Sequence, residues 1–155
     1  MTTIDAETLT AQALAPMLRA WAAGLLAGEA AVELLIRHDV WLHRTDFRAA
    51  LIDAVDDGWG SGGSIEPLAA VDWDAVETYL ETAVCARSEA AILRMAASLA
   101  GVTVRDSLLA MTSSLDDVNA TLVLDALAHR FGWHERGLAA PALAATPGRP
   151  TRRGP

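Results

Sequence analysis

The chain contains no lysine, a single cysteine and only three aromatic residues besides its five tryptophans. Without lysine, all twelve strongly basic residues are arginine, which indicates the codon preference of a GC-rich genome and carries no chemistry. The single cysteine, Cys85, excludes an internal disulfide and is typical of a protein from a reducing compartment.

Long apolar runs are also missing. The longest, such as residues 20–28, reach about half the length of a membrane-spanning helix. The first residues, MTTIDAE, have neither the basic region nor the apolar run of a signal peptide. We therefore expect a cytoplasmic protein without a membrane partner.

Acidic residues are absent from residues 137–155, which hold three arginines among proline, glycine and alanine. This composition predicts a flexible tail that cannot bury a core. Residues 1–136 carry twenty carboxylates and nine arginines, a net charge of −11. A body of this charge repels phosphate backbones, which argues against nucleic acid as a partner. It is compatible with solubility, with a basic protein partner or with mimicry of a nucleic acid.

Residues 88–101, SEAAILRMAASLAG, are the most apolar helical segment. Ser88 is a suitable N-cap, Gly101 is a suitable left-handed end, and only three residues between them are polar. A helix that is apolar on nearly all sides is usually buried among other helices. No strand pair carries a hairpin signal. We therefore predict an all-α fold: a single bundle, residues 1–136, of about six or seven short helices around a buried central helix at about 88–100.

Proline, glycine and capping residues place the other helices. The pattern predicts helices at residues 5–14, 16–27, 29–38, 45–55, 104–111 and 115–131, and a further one after Asp72. Residues 56–67, DDGWGSGGSIEP, are the clearest loop, because this density of glycine is disfavoured inside a regular element.

One part of the chain resembles a known group. Cys85-Ala-Arg-Ser-Glu89 continues through LRMAASLAG to the segment SLDDVNATLVLDALAH. This Cys-x-x-Ser-Glu…LRxAASLAG…LDDxN pattern, within residues 85–129, resembles small uncharacterised all-helical proteins of actinobacteria. The resemblance implies a bacterial cytoplasmic origin and a helical fold, and it implies no activity.

The histidines form two pairs with a spacing of five residues, His38 with His43 and His129 with His134. On a continuous helix this spacing turns the two rings away from each other. Each pair spans a predicted helix end, however, where the rings could converge on a metal with Asp39 or Glu135 as an oxygen ligand. The alternative, which we favour, is that the histidines contact the last carbonyls of their helices.

Three further patterns each lack a required residue. A calcium loop that begins at Asp53 has Ser64 where the bidentate glutamate belongs. A phosphate loop from Gly58 to Gly63 lacks the P-loop lysine. Cys85 precedes a predicted helix and a nearby arginine, both of which lower a thiol pKa, but the sequence indicates no base beside it. We therefore predict no cofactor.

Arg94 is the only basic residue in the apolar central segment. If it is buried, it needs a carboxylate or an anionic ligand, because an unpaired buried charge is costly. We favour an internal ion pair, with an aspartate of the 115–131 helix as one option, over a ligand pocket.

The tryptophans divide into two groups. Trp21 and Trp73 lie on apolar stripes and are predicted to be core residues. Trp59, in the glycine loop beside Asp56 and Asp57, and Trp133, beyond a helix end, are predicted to be exposed partner anchors. For Trp59, folding back as a lid over the core is the alternative.

These patterns favour a non-enzymatic protein, an adaptor or regulatory subunit, whose partner is another protein or a second copy of itself. The alternative is a helical protein that binds a small molecule or a metal in a pocket near Arg94 or the histidines. An enzyme that uses Cys85 or His43 is a third option, for which the sequence offers no complete set of catalytic residues.

Overall fold

The computed structural model describes residues 2–59, 63 and 65–138. Within these ranges the chain forms seven α-helices and one three-stranded antiparallel sheet. The predicted all-α fold is therefore wrong, and the protein is mixed α/β. Of the predicted tail, only Gly137 and Leu138 belong to the described residues, and the rest lies outside them.

The strands are β1 (Thr3–Ile4), β2 (Ile52–Trp59) and β3 (Ile65–Val71), and the helices are α1 (Ala11–Ala22), α2 (Leu26–His38), α3 (Thr45–Leu51), α4 (Val76–Leu80), α5 (Arg87–Leu99), α6 (Leu108–Thr112) and α7 (Asp117–Arg130). Short 3-10 turns lie at Ala6–Thr8, Trp41–His43 and Trp73–Ala75. No helix in the described ranges is long and apolar enough to cross a membrane.

The sheet has the order β1-β2-β3. β2 and β3 form an antiparallel hairpin, in which Ile52 lies opposite Val71 and Trp59 lies opposite Ile65. β1 pairs with the other edge of β2. Among the described residues, β3 is therefore an edge strand, and α1 packs against it.

The predicted helix through Val55 is wrong, and so is the predicted loop at residues 56–59 and 65–67, which lie in strands. Residues 60–62 and 64 of that loop lie outside the described residues. α3 ends at Leu51, and β2 begins at the next residue. Ile52 and Ala54 are buried while the aspartate between them is exposed, which is the two-residue alternation of a strand. In the sequence this short alternation cannot be distinguished from one face of a helix, because Leu51 and Val55 are four residues apart, which is also a helical spacing.

Glycine and proline occupy positions in the hairpin that tolerate them. The pairing of β2 with β3 is irregular between Val55 and Gly58. Pro67 lies opposite this irregularity and has no partner in the register, so the N–H that proline lacks costs no hydrogen bond of the sheet. A Cβ added at Gly58 would lie 2.5 Å from Leu68 Cδ1. The Leu68 side chain therefore occupies the space that a side chain at position 58 would need.

α1 runs through Pro16, where the sequence predicted a boundary. The Thr10 hydroxyl caps this helix by accepting the Ala13 N–H at 3.2 Å. Proline inside a helix costs about 3 kcal/mol. Leu14 and Leu18 are fully buried on the same helix, and each contributes about 2 kcal/mol of apolar burial, which offsets that cost.

α5 is the buried central helix, and it divides the core into two parts. Leu93 and Ala97 pack with the sheet side of the molecule, whereas Ile92 and Met95 pack with α7. Helices α2, α4, α6 and α7 contact α5. The central helix that the sequence predicted is thus present, but it lies inside an α/β fold.

Helix ends follow the predicted residues in part. Gly101 and Gly132 follow α5 and α7 with φ angles of +104° and +67°, as the pattern indicated. The break between α1 and α2 lies at Gly24, with a φ of +85°, whereas Gly28 lies inside α2. The break is therefore four residues earlier than predicted.

Candidate functional site

A concave apolar surface lies between α1, α2 and β3. It encloses about 310 Å³. We call it the Trp21 groove, and its lining consists entirely of uncharged residues: Leu18, Trp21, Ala22, Leu25, Ala27, Gly28, Val32, Ala69, Val71, Trp73 and Ala100.

The rim of the groove carries two large exposed side chains. Trp21 is 59% exposed and Leu25 is 67% exposed. Trp21 was predicted to be a core residue because it shares an apolar stripe with Met17, Leu18 and Leu25. The prediction is wrong because Trp21 lies in the last turn of α1, and in the described residues no other element covers that turn. Sequence reasoning therefore missed this surface.

A polar cleft adjoins the groove along α2. We call it the His129 cleft; it consists of two cavities of about 280 and 290 Å³ that share Glu33 and His129. The groove and the cleft have Ala22 and Val32 in common, so the two form one continuous surface. The remaining lining residues of the cleft are Arg19, Ala23, Glu29, Leu34, Arg37, Leu122, Asp125 and Ala126.

The charged side chains of the cleft are paired with one another. Arg19 donates to Glu33, and Arg37 Nη2 donates to Asp125 Oδ2 at 2.9 Å. Glu29 Oε2 lies 2.8 Å from His129 Nε2. This hydrogen bond from His129 is the main cause of the lowered pKa of Glu29, and it outweighs the opposing effect of burial.

The histidine pairs behave differently from each other. The rings of His129 and His134 stack with centroids 4.0 Å apart and planes 11° apart, so this pair converges beyond the end of α7 as the sequence allowed. His43 Nε2 instead lies 2.7 Å from Asp39 Oδ1. His38 Nδ1 is buried without a hydrogen-bond partner, and burial lowers the pKa of His38.

The described part of the chain contains no group of three or more His, Cys, Asp or Glu side chains placed to hold a metal ion. The geometry at His129 is that of a histidine–glutamate pair with a second ring stacked on it. The arrangement can therefore exchange a proton or bind a polar group, but it does not form a metal centre from these residues.

Arg94 forms the internal ion pair that the sequence favoured, although with different partners. Its guanidinium contacts Glu77 of α4 at 3.0 Å and Asp106, which precedes α6, at 3.1 Å. Burial alone would raise the pKa of Glu77, but hydrogen bonds from Arg94 and from the Arg105 N–H lower it. Arg94 lines neither the groove nor the cleft.

Arg48 is the buried arginine that the sequence did not identify. It is only 9% exposed, and it donates to the carbonyl oxygens of Leu42 and Glu7 at 2.9 and 3.1 Å. Phe47 and Leu51 of the same helix, α3, are both buried. The position of Arg48 beside this apolar stripe was the only feature of the sequence that could have indicated its burial. Its acceptors are distant in sequence, which is why no local pattern reveals them.

The residues predicted as partner anchors do not form one cluster with the groove. Trp59 ends β2 and is 72% exposed, so it is no lid over the core. The carboxylates of Asp56 and Asp57 accept hydrogen bonds from the Thr2 N–H at 3.2 and 2.7 Å, and they therefore hold the N-terminal segment. Trp133 is half-buried and packs on Phe131, with ring centroids 5.9 Å apart.

Cys85 lies in surroundings that disfavour its ionised form, whereas the two sequence features noted for it would lower a thiol pKa. Burial, followed by the negative charge of Glu89, raises the pKa of the Cys85 thiol. These effects outweigh the arginines that lower it, Arg44 and Arg94. The thiol is thus held in its protonated, less nucleophilic form.

The chain matches no protein-family model, no curated protein and no solved structure. The resemblance of residues 85–129 to helical actinobacterial proteins therefore stays a prediction.

Proposed function

We propose that this chain is a non-enzymatic interaction protein, a cytoplasmic adaptor or regulatory subunit, and that the Trp21 groove is its docking surface. The observation that carries the proposal is a concave, uncharged groove with exposed Trp21 and Leu25 at its rim. Tryptophan at the edge of an apolar depression is a frequent anchor of protein interfaces. Large exposed apolar patches on soluble domains commonly mark such interfaces.

The charge of the body restricts the kind of partner. Residues 1–136 carry a net charge of −11, so a segment with arginine or lysine near its apolar side chains is attracted to the surface. The attraction acts mainly on the association rate, and it should weaken as salt is added. A nucleic acid partner is disfavoured by the same charge.

Affinity capture from the native host, read by mass spectrometry, tests the proposal. The wild-type chain is compared with Trp21→Ala, which removes the rim anchor, and with Trp59→Ala, which removes another exposed tryptophan, from the hairpin. We expect one specific partner to be lost with Trp21→Ala and retained with Trp59→Ala, at unchanged melting temperature. Loss with Trp59→Ala alone would assign docking to the hairpin, and capture that neither change reduces contradicts both surfaces.

A second candidate function rests on the His129 cleft. Its volume and its converging charged groups suit a small polar molecule instead of a protein. Native mass spectrometry of the purified chain tests this function: a co-purifying small molecule that is lost in His129→Ala supports it. A wild-type mass equal to that of the chain alone would count against it.

A further inference from the structure

Helix α7 carries apolar side chains on more sides than its own molecule covers. Leu122, Val123 and Leu124 follow one another at steps of about 100° around the helix, so they point to three different sides. Val123 is buried and Leu122 is half-buried, whereas Leu124 is 58% exposed. A helix that is apolar on nearly all sides is usually buried among neighbours. In the described part of the chain, no such neighbour covers the side that carries Leu124.

The exposed side of α7 continues onto α6. We call this surface the α6–α7 face and define it by its four large exposed apolar side chains, Leu108, Leu109, Leu124 and Phe131. Leu108 and Leu127 line the same small cavity, which joins the two helices into one surface. More than half of each of the four side chains is exposed, so together they leave roughly 400–500 Å² of apolar area in water. A patch of this size on a soluble domain commonly marks an interaction site.

The small cavity gives the α6–α7 face both a hole and a protruding side chain. The cavity encloses about 110 Å³ and is lined by Ser98 and six apolar residues of α5, α6 and α7. A hole of this size suits one aliphatic side chain. Leu109 follows Leu108 of the cavity rim and protrudes beside it. A two-fold interface uses the same surface on both molecules, so a second copy can fill the hole with its own Leu109.

The charges at the two ends of α7 complement each other in the same arrangement. Asp116 and Asp117 lie at the start of the helix, and Arg130 is its last residue. Arg130 is exposed, and its side chain forms no hydrogen bond or ion pair with the described residues. If two α7 helices lie antiparallel and cross between Val123 and Leu124, position 117 of one copy lies opposite position 130 of the other. The arginine of each copy then faces the two aspartates of the other copy.

We infer that two copies of this chain associate through the α6–α7 face, with their α7 helices antiparallel about a two-fold axis. The four apolar side chains of each copy, with the charged helix ends, bring the buried area to about 1,000 Å², the lower end for a specific interface. Each copy has a net charge of −8, and the repulsion weakens the pair. We therefore expect a dissociation constant on the order of 10 μM.

This interface goes beyond the proposed function and is separate from it. No residue lines both the Trp21 groove and the cavity of the α6–α7 face. None of the four exposed side chains that define the face lines the groove either. The dimer therefore leaves the groove open to a different protein, and either surface can fail its test while the other stands.

Sedimentation velocity of the full-length chain, over about 1–200 μM at constant salt, tests the inference. We expect a monomer–dimer equilibrium in the wild type. Leu124→Asp places a charge at the crossing point, and it should weaken association at least tenfold. Leu25→Asp is the matched control, because Leu25 is also an exposed leucine but lies on the groove rim. It should associate like the wild type.

A charge exchange tests the antiparallel arrangement itself. Arg130→Glu should weaken association about tenfold, because two equivalent contacts become repulsive at once. Adding Asp117→Arg to the same chain should recover at least threefold of that loss, since the new arginine again faces an acidic side chain. Both residues are exposed, and an unchanged melting temperature shows that the variants are folded.

Three results would overturn the inference. The first is a wild-type chain that stays monomeric up to about 200 μM, even if the α6–α7 face then captures another protein. The second is a dimer that Leu25→Asp disrupts and Leu124→Asp does not, which would assign self-association to the groove. The third is a dimer that Arg130→Glu weakens and Asp117→Arg weakens further, which would exclude the antiparallel pairing of the two helices.

Discussion

Gly58 of β2 leaves a space that the Leu68 side chain of β3 fills. At position 58 a Cβ would meet Leu68 Cδ1 at 2.5 Å and Val55 Cγ2 at 3.0 Å. We expect Gly58→Ala to lower the free energy of unfolding by about 1–3 kcal/mol, because the added methyl group forces the packed Leu68 and Val55 side chains to shift. Urea denaturation followed by circular dichroism measures it.

Gly28→Ala is the control for this change. Gly28 lies within α2, and an added Cβ there makes only ordinary contacts, the nearest at 3.6 Å to Ala22 Cβ. The helix should gain about 0.5–1 kcal/mol from the higher helix propensity of alanine. Equal destabilisation by both changes would show that packing against Leu68 is not the cause.

The ion pair between Arg94 and Glu77, which is partly buried, is a second contribution of single residues to stability. Their side chains are 19% and 13% exposed. Arg94→Met should lower the free energy of unfolding by about 3 kcal/mol, which is the lower end of the range for breaking a buried ion pair. We expect the lower end because Glu77 keeps one hydrogen bond, from the Arg105 N–H. Arg105→Met, which removes an exposed side chain from the same network, should cost less than about 1 kcal/mol. Equal denaturation midpoints for the two variants would contradict the assignment.

At the scale of elements, Arg48 joins parts of the chain that share no hydrogen-bonded ladder. From α3 its guanidinium reaches the carbonyl of Glu7 in the first 3-10 turn and that of Leu42 in the second. Arg48→Met should cost about 1–3 kcal/mol, because the buried carbonyl of Leu42 loses its donor. Thermal unfolding measures the change, with Arg37→Met, at a surface pair, as the control.

The element that sequence reasoning missed is the hairpin. The sequence signals of a helix are local, because capping residues and residues three or four apart belong to the same turn. The ends of α2, α5 and α7 were therefore predicted to within a few residues. β2 contains Asp56, Asp57 and Gly58, which all disfavour strands, and it is held by pairing with β1 and β3. Because Val55 pairs with Thr3 across 52 positions of sequence, no local pattern contains that information.

At the scale of the whole molecule, carboxylates with lowered pKa values control acid stability. Hydrogen bonds from Arg44, and also from Tyr79, lower the pKa of Asp46 from 3.8 to about 2. The folded state therefore binds fewer protons than the unfolded state between these values, so stability is present above about pH 4 and is lost as the pH falls towards 2. Glu29 and Glu77 act in the same direction.

We expect the urea midpoint to fall steadily from about pH 5 to pH 2. Asp46→Asn, which cannot titrate, should be less stable than the wild type at neutral pH and should show a shallower decline between about pH 4 and 2. The two slopes are compared at constant ionic strength. Parallel curves for the two proteins would mean that Asp46 does not contribute to the pH dependence.

The sequence by itself determined the features that depend on composition or on neighbours along the chain: the acidic body, the apolar helix α5, the glycine ends at Gly101 and Gly132, and the need of Arg94 for an ion-pair partner. The tertiary structure alone decided which partner Arg94 takes, that a hairpin replaces the predicted loop, and that Trp21 lies on an open groove. The physical reason is common to all three. Each depends on contacts between segments far apart in sequence, and the free energy of such contacts is set by packing that no single segment encodes.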